Sequence, residues 1–168
     1  MKNNRTLFIV QSSLIAAVYA TATYISSVFG IAYGPIQLRL SEALTVLSAL
    51  TPAAITGLTI GCIIGNISSP MGIWDIIFGS FATLFSAFLG WKLRKIKVKN
   101  IPVISILIPA IINGIIVGAQ IMLFTGSREA TLSAFIINAL QIALSEIIVC
   151  TAGGIPVYFG MKKIIKTK

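Results

Sequence analysis

Three of the four acidic residues in this chain, Glu42, Asp75 and Glu146, fall within or at the edge of long apolar stretches. An acid at bilayer depth costs about 2.5–3.5 kcal/mol on insertion scales, so such a residue faces the protein interior and is a candidate for binding. Glu146 lies near the middle of the last apolar run, and Asn138, Gln141, Ile142 and Ser145 share its helical stripe. In the preceding run Asn113 and Gln120 stand seven residues apart, hence on one face, with Gly114 and Gly118 permitting close helix approach. Two polar walls facing each other enclose a cavity. Asn66, Asp75 and Trp74 are placed to complete its outer rim. Two plainer readings stand beside this one: a polar stripe that only holds helices together, and a Trp74 that belongs to an interfacial aromatic belt.

The elements that must position these groups are almost wholly apolar. Of 168 residues, 57% are hydrophobic and 10% charged, and the mean hydropathy is +0.98. Water does not solvate such a surface, so the expected class is an all-α integral membrane protein. Apolar runs fall at 7–30, 41–51, 53–68, 74–93, 102–124 and 132–160. They predict one bundle of six transmembrane helices over 1–168, with no length left for a soluble catalytic domain. The second run, at ~1.5 Å per residue, reaches only ~17 Å of a ~30 Å hydrocarbon core, so it starts earlier or is broken. Thr51-Pro52 separates it from the third, and segment 31–40, IAYGPIQLRL, reads as an external loop folding back over the helices. The run from Leu7 to Gly30 exceeds a signal-peptide core and lacks a clear cleavage site, so it is expected as a mature helix.

The net charge of +9 is explained by topology rather than by nucleic acid. With six crossings and a cytoplasmic N-terminus, Lys2, Arg5, Lys92, Arg94, Lys95, Lys97, Lys99, Lys162, Lys163, Lys166 and Lys168 all lie inside, and only Arg39 and Arg128 outside. That is the asymmetry of the positive-inside rule. Joining 41–68 into one helix would turn the five-cation loop outward. The basic loop and tail then serve as topology determinants and lipid headgroup contacts.

The chain has no His, and Cys62 and Cys150 are isolated in apolar runs, so neither a metal site nor a disulfide framework is expected. It has no phosphate-binding glycine loop and no nucleophile with its base, so it is read as no enzyme. Uphill transport would draw on an ion gradient or on partner proteins. The first helix carries Ser12, Ala16 and Ala20 at four-residue spacing, with Ser13 and Ala17 beside them, a face open to close helix approach.

The segment Tyr33-Gly34-Pro35-Ile36-Gln37-Leu38-Arg39-Leu40-Ser41-Glu42-Ala43-Leu44-Thr45-Val46-Leu47, followed by Thr51-Pro52-Ala53-Ala54, Gly57, Gly61-Cys62 and Asn66, resembles the queuosine-precursor S components of energy-coupling factor (ECF) transporters. The likeness covers most of the chain and is densest over 33–83, including Ser69-Pro70, Gly72, Asp75 and Phe78-Gly79-Ser80. It implies a six-helix substrate-binding subunit in a prokaryotic plasma membrane, without a cofactor of its own. Such a subunit delivers a 7-deazaguanine such as preQ1 to one transmembrane coupling subunit and two ATPases, which use the ATP. It further implies docking of that partner on Ala16-x-x-x-Ala20. Related S components bind vitamins in the same kind of cavity, so another micronutrient, or a stand-alone ion-coupled carrier, is the alternative. The residues suit a purine-like cation: Glu42, Asp75 and Glu146 accept N–H donors, Asn66, Asn113, Gln120, Asn138, Gln141 and Arg39 offer amide and guanidinium groups, and Tyr33 or Trp74 can stack on a ring. Which acid meets which edge stays open at this level.

Overall fold

The computed structural model describes residues 2–124 and 131–166. Arg128 and Lys168 lie outside them. Among the described residues the chain is helical with no strand, in six α-helices, one central 3-10 helix and one π turn.

Helix α1, Lys2–Val28, ends where Gly30 takes a φ of 70° and Ile31 N donates to Ser26 O at 3.0 Å. That left-handed turn is open to glycine at little cost. The 31–39 segment then folds inward: Ala32, Gln37 and Arg39 are buried, and Leu38 N donates to Ile31 O. Arg39, expected as an external charge, is 7% exposed and belongs to the interior.

The second apolar run is a 3-10 helix, Leu40–Ala49, not an α-helix. At ~2.0 Å rise per residue its ten residues span ~20 Å, still short of the bilayer core. It need not span, because all six α-helices pack around it. Its 3-10 backbone is shielded from lipid by protein, the condition under which irregular backbone is tolerated at membrane depth. Side chains of α1 cap its start: Leu40 N donates to Ser26 Oγ at 3.0 Å, and Thr23 Oγ1 to Ser41 Oγ at 2.9 Å.

The chain breaks at Thr51-Pro52, as expected, and α2 runs Ala53–Asn66. Its glycines 57, 61 and 65 form a four-residue ridge that lets α1 settle backbone to backbone. After a turn through 67–72 the helix resumes with a π turn, Asp75–Gly79, and continues as α3, Ser80–Lys92. The basic loop closes as a small hairpin, with Lys99 and Asn100 at φ 48° and 67° and a bridge between Val98 and Ile101. Helix α4, Val103–Phe124, pairs closely with α5, Leu132–Ala152. The last run continues past a one-residue irregularity at Gly153, whose backbone stays helical (φ −91°, ψ −42°), into α6, Gly154–Lys166.

The apolar side chains divide as a membrane protein requires. Tyr19, Leu47, Leu58, Cys62 and Ala87 form one buried cluster and Val46, Ile106, Cys150 and Tyr158 another. Leu14, Ile111, Leu140 and Ile148 point outward at 57–64% exposure. An outer surface of that kind is stable against lipid rather than water. Asn4–Val28, Val103–Phe124 and Leu132–Ile164 are long and apolar enough to cross a membrane, and Leu40–Ala49 and Ala53–Asn66 are shorter apolar helices.

Candidate functional site

The buried polar residues meet where the 3-10 helix, α4 and α5 converge. Gly114 and Gly118 of α4 lie against the backbone of Ala139 on α5, so the two helices approach closely. This brings Asn113 to Glu146, whose Oε1 accepts from Asn113 Nδ2 at 2.6 Å. Glu42, in the first turn of the 3-10 helix, accepts on Oε1 from the fully buried Tyr19 hydroxyl. Its backbone carbonyl accepts from Thr45 Oγ1 at 2.6 Å and from Cys150 Sγ at 3.5 Å. Cys150 lies one turn beyond Glu146, so both glutamates line the same interior, each 1% exposed. They stand within electrostatic range of each other and of Arg39.

A second polar group forms where α2 ends and the π turn begins. Asp75 accepts from Gln120 Nε2 on Oδ1 and from Ser69 Oγ on Oδ2. Asn66 Nδ2 donates to the Asp75 carbonyl at 2.8 Å, and Asn66 Oδ1 accepts from Arg39 Nη2 at 3.0 Å. Arg39 also points toward Cys62 Sγ, which Thr83 Oγ1 and Asn66 Nδ2 approach as well. The π turn shifts the helix register so that Asp75 faces this cluster; such turns recur at functional sites.

Five atoms of this set are buried without a hydrogen-bond partner: Arg39 Nε, Glu42 Oε2, Asn113 Oδ1, Gln120 Oε1 and Glu146 Oε2. An unpaired buried polar atom costs about 1–3 kcal/mol, and more when charged. Five across these two polar groups mark a surface prepared for something other than the protein itself. Beside it, Gly34, Pro35, Pro70, Met71, Trp74, Ile121 and Phe124 line a cavity of about 500 Å³, within the size range of small-molecule sites. Met71 Sδ, in its wall, lies 3.7 Å from Gln120 Nε2.

Asn113 and Gln120 share one face of α4, yet each reaches a different acid. Asn138 and Gln141 are half-buried and make no side-chain hydrogen bond among the described residues; Ile142, Ser145 and Glu146 hold the buried part of their stripe. Trp74 is 40% exposed with its ring stacked on Phe124, centroids 4.0 Å apart. Tyr33 anchors the 31–39 segment through its hydroxyl, which donates to Gly65 O at 2.7 Å, while Arg39 lies over its ring.

Ala16 and Ala20 are 5% and 6% exposed. A Cβ on Gly61 would stand 2.8 Å from Ala16 O, so the close approach their size allows is taken up inside the chain by α2. Small residues that α1 presents outward include Ser13, Ala17 and Thr21. Tyr19 carries no sequence signal that selects it, because its role depends on a partner on another element, and Ser69 is marked only by its place in the resemblance. The spacing Gly57-x-x-x-Gly61-x-x-x-Gly65 is the sequence signal from which this close contact could have been found.

A family model described as QueT transporter matches residues 9–163. A protein named Queuosine precursor transporter QueT, from Lactococcus lactis subsp. cremoris, is 38% identical over 90 residues, which is 54% of this chain and 53% of that protein. The matched stretch thus spans about half the length of that relative. No solved structure matches the chain.

Proposed function

Given that the chain belongs to the QueT transporter family, we propose that it is the substrate-binding component of an ECF-type importer, a transporter subunit rather than an enzyme, taking up a queuosine precursor of the 7-deazaguanine class. The observation that carries this reading is the imbalance of its buried polar centre. Glu42, Asp75 and Glu146 are at most 9% exposed, and the cation buried among them is Arg39, which donates to Asn66 and Cys62 rather than to a carboxylate. Three buried carboxyls share one buried guanidinium, and a substrate that supplies N–H donors and positive charge offsets the remainder. A guanine-like edge fits the unpaired atoms. Its N–H groups meet Gln120 Oε1, Asn113 Oδ1 or a glutamate oxygen, and its carbonyl meets Arg39 Nε.

The site lies inside a membrane protein, and the reading extends to a multi-pass subunit of a prokaryotic plasma membrane with both ends cytoplasmic. Eleven of the thirteen cations fall at the two ends and in the 92–99 loop, the parts this topology puts inside, and Arg39, one of the other two, is buried. The chain carries no phosphate-binding loop, so its energy comes from an ion gradient or from partners; the resemblance to ECF S components implies partners, a coupling module of one transmembrane subunit and two ATPases. The test is reconstitution. Proteoliposomes holding the chain with such a module and internal ATP are expected to accumulate labelled 7-deazaguanine, and those lacking either to accumulate none. Uptake by the lone chain under an ion gradient overturns the proposal. Mass spectrometry of the small molecule that co-purifies from native membranes identifies the substrate independently.

A further inference from the structure

Between α3 and α4 the chain alternates cation and aliphatic residue: Lys95, Ile96, Lys97, Val98, Lys99. The segment is built as a hairpin. Val98 N donates to Ile101 O at 3.0 Å and Ile101 N to Val98 O at 2.9 Å, and Lys99 and Asn100 take the positive φ values of a two-residue turn. Residues opposed in such a pair share a face, as does the residue two positions back along an extended strand. Ile101 packs against the buried cluster of Val46, Ile106, Cys150 and Tyr158, so Ile96 and Val98 fall on the bundle side of the hairpin and Lys97 on the other. Protein does not cover the two aliphatic side chains, which are 50% and 59% exposed. The root of the hairpin lies at the membrane boundary, where α3 ends at Lys92 and α4 begins at Val103. There the Arg94 guanidinium sits 3.4 Å from the centroid of the Trp91 ring, an aromatic and cation pair suited to headgroup level. No acid lies between Asp75 and Glu129, so the five cations of 92–99 have none in their own stretch of chain to neutralise them.

We propose that the hairpin over 94–101 is a site for anionic phospholipid: Ile96 and Val98 dip into the adjoining leaflet while Lys95, Lys97 and Lys99 hold lipid phosphates, so that negatively charged lipid is enriched around this end of α3 and α4. A strand lying in the interface meets acyl carbon with one face and phosphate with the other, which is the division the alternation makes. An acidic protein surface would match the lysines alone. It leaves uncovered the two aliphatic side chains on the bundle side, where lipid is the neighbour. The inference rests on the chain's place in a membrane and not on its substrate.

The test uses the full chain in vesicles of phosphatidylcholine and phosphatidylglycerol in equal amounts, with a fluorophore on Val98→Cys; Cys62 and Cys150 are buried and do not compete for the label. An acyl-chain spin label that quenches the fluorophore is carried either by the anionic or by the zwitterionic lipid. The phosphatidylglycerol is expected to quench more strongly, with a relative association of about 5- to 30-fold, since one lysine near an anionic surface contributes about fivefold. Aqueous iodide is expected to quench weakly. Replacing Lys95, Lys97 and Lys99 together by glutamine is expected to bring the two lipids within about twofold of each other. The same label on Ile36→Cys, an exposed position in the segment at the other end of the bundle, is expected to show no preference. Equal quenching by the two lipids at Val98 overturns the proposal, and so does a preference that survives the glutamines or appears equally at Ile36. Strong iodide quenching without lipid quenching overturns it in favour of a water-facing surface for an acidic protein. The comparison of the two lipids at Val98 stands even where the triple replacement does not fold.

Discussion

Replacing Gly61 by alanine should separate the roles of packing and of the polar centre, because one methyl group placed there presses on the residue that holds Glu42. The added Cβ would stand 2.8 Å from Ala16 O, 2.8 Å from Tyr19 Cβ and 3.1 Å from Ala16 Cα. Carbon atoms pack at about 3.5–4.0 Å, so the α1 backbone must retreat by about 0.7 Å. No rotamer relieves the contact, since two of the three neighbours are backbone atoms and the third is a Cβ. Overpacking of this kind costs about 1–3 kcal/mol. Moving Tyr19 also draws its hydroxyl away from Glu42, which weakens the apo structure further. Gly160→Ala is the matched control: no atom lies within 4 Å of its added Cβ, and alanine is favoured over glycine in a helix by about 1 kcal/mol. Thermal unfolding in detergent, followed by tryptophan fluorescence, should show Gly61→Ala melting clearly below wild type and Gly160→Ala at or above it. Equal melting of the two variants would refute the backbone-contact argument.

Ala16→Trp is expected to lower the melting temperature and folded yield, because Ala16 is packed against Gly61, whereas Ala17→Trp on the outward face should leave melting within about 0.5 kcal/mol of wild type. Tyr33→Phe removes the hydrogen bond to Gly65 O, a loss of about 0.5–1.5 kcal/mol, and should show as faster proteolysis within 31–39 at an unchanged helical content. Cysteines placed at Lys97 and at Ser127, the latter outside the described residues, should react with impermeant maleimide from opposite sides of the membrane. Cys62 and Cys150 are buried and should stay silent. Labelling of both new sites from outside refutes the six-crossing topology.

Hydropathy and charge position, which are properties of the chain in one dimension, determined by themselves that this is an all-α membrane protein, where its apolar runs lie and that Thr51-Pro52 divides two of them. They also singled out Glu42, Asp75 and Glu146, because an acid in an apolar run is conspicuous whatever it touches. The irregularity at Gly153 and the 3-10 winding of Leu40–Ala49 were not legible. The apolar content of those runs is the same in either form, and only the enclosure of the 3-10 helix by all six α-helices makes its geometry tolerable. Tertiary structure alone decided that Asp75 is satisfied while both glutamates keep a free oxygen. That outcome depends on Ser69, Gln120, Tyr19 and Asn113 arriving from separate elements. It likewise turned the small face at Ala16 inward, because the glycine ridge that receives it lies on a different helix, and no local spacing reports which helix will be the neighbour.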